Sequence, residues 1–176
     1  IPRLSAPRQV VDGTLMEIDA ATRRNLELIR TLNGERQGSL LATIDRSLTG
    51  AGGRLLGDWL SAPLTDAEAI LARLDLVQYL VGEDDLRNRL REALRRVPDL
   101  ERALSRLTAG RGGPRDLAAL RDGILAADKI LERLSRIENL PRDISLAIEA
   151  LHRPSRDLAQ EFASGLADEL PLFKRD

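Results

Sequence analysis

Cysteine is absent from this 176-residue sequence, which excludes disulfides and thiolate metal sites. Histidine occurs once, at His152, so no imidazole pair can gather around a metal, and only carboxylate sites are left open by counting. Aromatic residues make up 2% of the chain, so a core has to be built from leucine, isoleucine, valine and alanine. An excess of one charge is missing too. With 27 basic and 28 acidic residues the formal net charge is −1, without the positive surplus of a stand-alone nucleic-acid binder. Lysine is confined to Lys129 and Lys174, and every other basic residue is arginine, a bias that genome base composition can produce by itself. No apolar run approaches the roughly 18 residues of a membrane span, and no signal peptide is visible. The chain opens on Ile1 rather than methionine and closes on the charged LPLFKRD, so both ends read as cuts. The expectation is a soluble cytoplasmic fragment of a longer protein.

What the chain does have is apolar spacing of helical period, with almost no β-branched runs. Residues 1–13 carry two prolines and read as a linker, and Thr14 to Ile18 as a short strand with no evident partner. Asp19 suits the N-cap of a helix carrying Leu26, Ile29 and Leu32, with Asn33-Gly34 as its stop. Ser39 caps a brief turn through Leu40, Leu41 and Ile44. Thr49 caps a third piece with Leu55, Leu56, Trp59 and Leu60, which ends before Pro63. Asp66 then caps a helix with Ile70, Leu74, Val77 and Val81 on one face, ended by Gly82. Leu86, Leu90, Leu94 and Val97 mark a helix broken at Pro98, and residues 99–108 another, closed by GRGG. The longest helix starts at Pro114, where a missing N–H does no harm, and runs to Arg136, about 35 Å at ~1.5 Å per residue. Its stripe of Leu117, Leu120, Ile124, Ala127, Leu131 and Leu134 is narrow, as suits packing between long helices. Helices over 141–151 and 154–170 complete the chain, the last with Leu158, Phe162, Leu166 and Leu170 at i+4 spacing. The fold class is all-α, a multi-helix bundle of about seven or eight helices with a short N-terminal linker or strand.

Four features invite a functional reading. TGAGGR, Thr49 to Arg54, is the nearest approach to a phosphate loop, but neither lysine follows a glycine, so a P-loop is absent. Gly50, Gly52 and Gly53 are expected to serve turn geometry and close helix contact. Leu86 to Arg115 holds nine arginines against Glu92, Asp99 and Glu101, a local excess of six positive charges. Arg87, Arg91, Arg95, Arg102 and Arg106 could there face phosphate or an acidic partner. The alternative is a solvated face, with Asp99 and Arg102 spaced for an i, i+3 pair. His152 is expected in a solvent-facing turn, since no partner or pocket for a general base is apparent, and Trp59 in the core. No catalytic, cofactor or metal constellation emerges.

The order of motifs says more than their spacing. IDAATRRNLEL, then GSLLATIDRSLTGAGGRLLGDWLSAPL, then RVPDLERALSRL followed by GGPRDLAALRDGI resembles the core domain of the MutS family of DNA mismatch repair proteins, from about Met16 onward. The resemblance implies that residues 1–13 link from a preceding connector domain, and that 14–176 form a helical core ending before the clamp arm. It implies a non-catalytic structural part that joins connector, lever, clamp and ATPase domains and transmits conformational change. ATP and Mg would belong to a separate domain of the parent protein. Mismatched DNA and a second subunit would be partners of the full-length protein, near the nucleoid, with weak or no DNA binding by this part alone. Two alternatives stand beside it: the core of a MutS-like paralogue that suppresses recombination, and a helical adaptor that binds a partner through an exposed leucine stripe.

Overall fold

The structure, a computed structural model, describes residues 14–153 and 156–167. The expected linker 1–13, the Pro154 start of the last helix, and its Leu170 end lie outside the described residues. Within them the chain is helical, as the all-α reading requires, with nine helices and a single isolated β-bridge. Nine exceeds the expected seven or eight because the brief turn expected at Leu40–Ile44 stands as a helix of five residues. The residues group into two compact units, Ile1–Asp75 and Leu76–Asp176.

The first unit holds α1 (Ala20–Asn25), α2 (Leu40–Ile44), α3 (Gly50–Ser61) and the start of α4 (Ala67–Gly82). Each begins where a short polar side chain can satisfy a free helix N–H. Asp19 accepts from Thr22 N at 2.9 Å, Ser39 from Ala42 N at 3.2 Å, Thr49 from Gly52 N at 3.0 Å and Asp66 from Ala69 N at 3.0 Å. The expected run of α1 to Leu32 does not form. Glu27 takes a left-handed φ of 48°, and its main-chain carbonyl accepts from Leu40 N while that of Leu28 accepts from Leu41 N. Burial of Leu28 and Leu41 follows from this pairing, so tertiary contact outweighs two further helical turns. The stretch 14–18 is not a strand but a bridge of Leu15 to Leu64, with Met16 N donating to Pro63 O at 2.7 Å.

The second unit holds the rest of α4 with α5 (Asp84–Leu94), α6 (Leu100–Thr108), α7 (Pro114–Leu134), α8 (Arg142–Leu151) and α9 (Arg156–Gly165). Helix α7 is its axis and packs against α5, α6, α8 and α9. That setting corrects the narrow stripe expected on α7. Leu131 and Leu134 are buried, but so are Asp116, Ala118, Gly123 and Ile130, because a helix with neighbours on several sides is covered on more than one face. Its 21 residues end at Leu134, about 32 Å of helix. One core cluster joins Leu86, Ile130, Leu134 and Ile144, flanked by Leu76, Tyr79, Leu80, Val97 and Ile148.

Several other buried positions of this unit are small: Ala103 on α6, Ala118 and Gly123 on α7, Ala159 on α9. Small side chains let the backbones approach. The end of α6 is shaped by Gly110, whose φ of 69° lets Gly110 N reach Leu107 O and Arg111 N reach Arg106 O.

Candidate functional site

The five arginines singled out from the sequence all lie in the second unit, Arg87, Arg91 and Arg95 at or beside α5 and Arg102 and Arg106 on α6. Most meet an acid close in sequence. Arg87 pairs with Asp84 and also donates to Leu80 O at 2.8 Å and Val81 O at 3.1 Å, which closes the end of α4. Arg95 lies 2.9 Å from Glu92, and Arg102 lies 3.6 Å from Asp99 at the i, i+3 spacing. A groove of about 370 Å³ beside α5 and α7 mixes Glu92 and Asp122 with Arg96, Lys129 and Arg133, so it presents no single sign of charge.

Arg106 does something the spacing did not reveal. Its Nε donates to Asp116 Oδ1 at 2.8 Å, across the GRGG loop, while Gly113 N–H donates to Asp116 Oδ2 at 3.0 Å. Asp116, 9% exposed, therefore ties α6 to the first turn of α7. The Arg106 guanidinium first, then the Gly113 N–H, hold its carboxyl below the usual carboxylate range. The hydrogen bond to Asp116 likewise raises Arg106 above its ordinary value. Asp45 is held low by the Ser47 hydroxyl and N–H, with Arg36 adding to them, and Asp19 by the Thr22 hydroxyl and N–H. Carboxylates shifted this way stay ionised and make poor general acids.

Gly50, Gly52 and Gly53 do not form a turn. They open α3 in helical conformation, and the close neighbours are local rather than on another helix: a Cβ on Gly53 would lie 3.1 Å from Ser47 Oγ, and one on Gly52 3.0 Å from Thr49 Oγ1. Thr49 caps the helix with its hydroxyl, so this turn has neither the lysine nor the free hydroxyl of a triphosphate site. His152 is exposed at the C-cap of α8. Trp59 is not core. It stands 41% exposed under the Arg73 guanidinium, 3.7 Å from the ring centroid, where the cation sits over the face of the ring. Among the described residues no group of three metal-ligating side chains gathers, and no helix is long and apolar enough to cross a membrane.

Several exposed apolar residues lie on α4. In the first unit Ile70, Leu71 and Leu74 stand out, with Leu74 at 56%; in the second, Val77 and Val81, with Val81 at 58%. These include the four positions that sequence spacing placed on one face. The side of α4 that packs on the core in the second unit is instead the half-buried Leu76, Tyr79 and Leu80.

Comparison with known proteins decides the family: the family model for MutS domain III matches residues 21–176. The chain belongs to the MutS domain III family. Relatives bearing the name DNA mismatch repair protein MutS are 59% identical over 175 residues in Rhodopseudomonas palustris (strain BisB18) and 57% in Nitrobacter hamburgensis. A third, from Azorhizobium caulinodans, is 51% identical, and each alignment covers 99% of this chain. The chain spans 19% of the length of these relatives. The exposed α4 residues thus belong to a MutS domain III whose relatives are about five times longer.

Proposed function

We propose that this MutS domain III is a non-catalytic structural core, joining connector, lever, clamp and ATPase domains in a longer mismatch repair protein. It carries conformational change between the ATP and DNA sites. The observation that supports the reading is the exposure of Ile70, Leu71 and Leu74 on the first-unit part of α4, on a chain spanning 19% of its relatives' length. Apolar patches of this kind on a helical body are where further domains seat. Packed helices also switch between discrete arrangements, which suits a transmitting part. The low-shifted carboxylates argue in the same direction, away from acid–base chemistry.

In this reading ATP and Mg bind in another domain, mismatched DNA and a second subunit are partners of the longer protein, and the setting is the cytoplasm near the nucleoid. The test is binding of the 176-residue chain to perfect and single-mismatch duplexes across a salt series, with ATP turnover measured alongside. Expected are weak binding without mismatch preference and no turnover. Tight, mismatch-selective binding or ATP hydrolysis by this chain would overturn the reading.

A further inference from the structure

The first unit contains a cluster of arginines unlike those of α5 and α6. Arg23 and Arg24 at the end of α1 and Arg30 in the following loop line a shallow cavity of about 410 Å³, with Ile29 and Leu32 as its apolar part. Among the described residues no carboxylate lines it. Two nearby acids are engaged with the backbone and a hydroxyl: Asp19 accepts from Thr22 N and Oγ1, and Glu27 Oε1 accepts from Leu32 N at 2.6 Å. Arg23 donates from Nε to Ile18 O at 2.8 Å and Arg30 from one nitrogen to Gly34 O at 2.9 Å. A guanidinium carries five N–H groups, so both keep most of theirs available. The Arg24 guanidinium has no ion-pair or hydrogen-bond partner among the described residues.

The loop that carries Arg30 is held in shape. Thr31 N donates to Glu35 O and Gly34 N to Thr31 O, both at 2.8 Å, and Leu32 N is fixed by Glu27. The guanidiniums therefore surround an apolar surface on a preformed loop, which lowers the ordering cost of binding. We infer that this cavity docks a protein segment bearing a carboxylate beside an apolar side chain. Carboxylates match the guanidinium forks in a bidentate geometry, and the apolar neighbour covers Ile29 and Leu32. A polyanion fits less well. Residues 14–75 carry seven arginines against nine carboxylates, and nucleic acid needs several phosphates neutralised along a strip.

The test uses the isotope-labelled 176-residue chain followed by NMR. The probes are the capped peptide Glu-Leu-Asp-Leu, its neutral counterpart Gln-Leu-Asn-Leu, and a short DNA duplex. The acidic peptide should move the amide signals of residues 29–34, and the neutral one should not. Arg24→Glu should weaken the acidic peptide by about tenfold or more, and Arg24→Gln by less, with the Leu28 and Leu41 signals in place as proof that the loop is intact. No shift with the acidic peptide, equal shifts with the neutral one, or unchanged affinity in Arg24→Glu would overturn the proposal. So would tighter binding of the duplex at the same signals.

Discussion

Gly123 tests most sharply how the second unit is assembled. It lies mid-helix in α7, where alanine should be about 1 kcal/mol more favourable by helix propensity. A Cβ there would stand 2.1 Å from Leu100 Cδ2 and 2.7 Å from Leu100 Cγ, well inside the ~3.5–4 Å of ordinary carbon contact. Leu100 opens α6, so relief requires its side chain or the α6–α7 seam to shift, and overpacking of that kind costs about 1–3 kcal/mol. Gly123→Ala should thus destabilise by about 1 kcal/mol net, the overlap outweighing the propensity gain. In a Leu100→Ala background the overlap is gone, and the same substitution should stabilise by about 1 kcal/mol. Urea unfolding of the four proteins gives the coupling, expected at about 1–3 kcal/mol. Coupling within about 0.5 kcal/mol, or stabilisation by Gly123→Ala alone, would show that the contact does not govern this seam.

Other substitutions separate the remaining ideas. Asp116→Asn leaves the Gly113 N–H and Arg106 without their charged acceptor and should lower stability by about 1–2 kcal/mol at neutral pH. Because the folded carboxyl titrates below its unfolded value of about 3.9, its stabilisation is present above that value and lost as pH falls through the folded one. The variant should accordingly show a flatter loss of stability below about pH 4 in acid titrations followed by circular dichroism. Trp59 is the one tryptophan, so fluorescence reports on it alone; Arg73→Ala should raise its quenching by acrylamide and cost about 0.5–1 kcal/mol. Val81→Asp should change the stability of this chain by no more than about 0.5 kcal/mol, whereas Leu134→Ala, 4% exposed, should cost about 2–5 kcal/mol in thermal unfolding.

The contrast between the two sets of arginines follows from helix geometry. On α5 and α6 the acids sit three or four residues from the arginines, so Asp84–Arg87, Asp85–Arg89 and Asp99–Arg102 close within one turn. Around α1, Asp19 and Glu27 accept from backbone N–H groups, and Arg23, Arg24 and Arg30 are left exposed. A count of charge along the sequence points to the first set; only partner geometry picks out the second.

Sequence by itself determined what depends on neighbours within a turn. Asp19, Ser39, Thr49 and Asp66 cap helices because a cap needs only a side-chain oxygen and the N–H three residues on. Gly82, Pro98 and Pro114 bound helices through local backbone chemistry, and motif order was enough to place the chain in its family. Tertiary structure decided whatever depends on which element lies alongside. It stopped α1 at Asn25, since pairing of Glu27 and Leu28 with Leu40 and Leu41 outweighed further helix. It left Trp59 exposed and turned Ile70, Leu74, Val77 and Val81 outward, because α4 is apolar on more than one side and periodicity does not say which side meets a neighbour. It also made Gly123 a contact point and Asp116 a tie between helices, since a Cβ's room and a carboxylate's partner are set by residues distant along the chain.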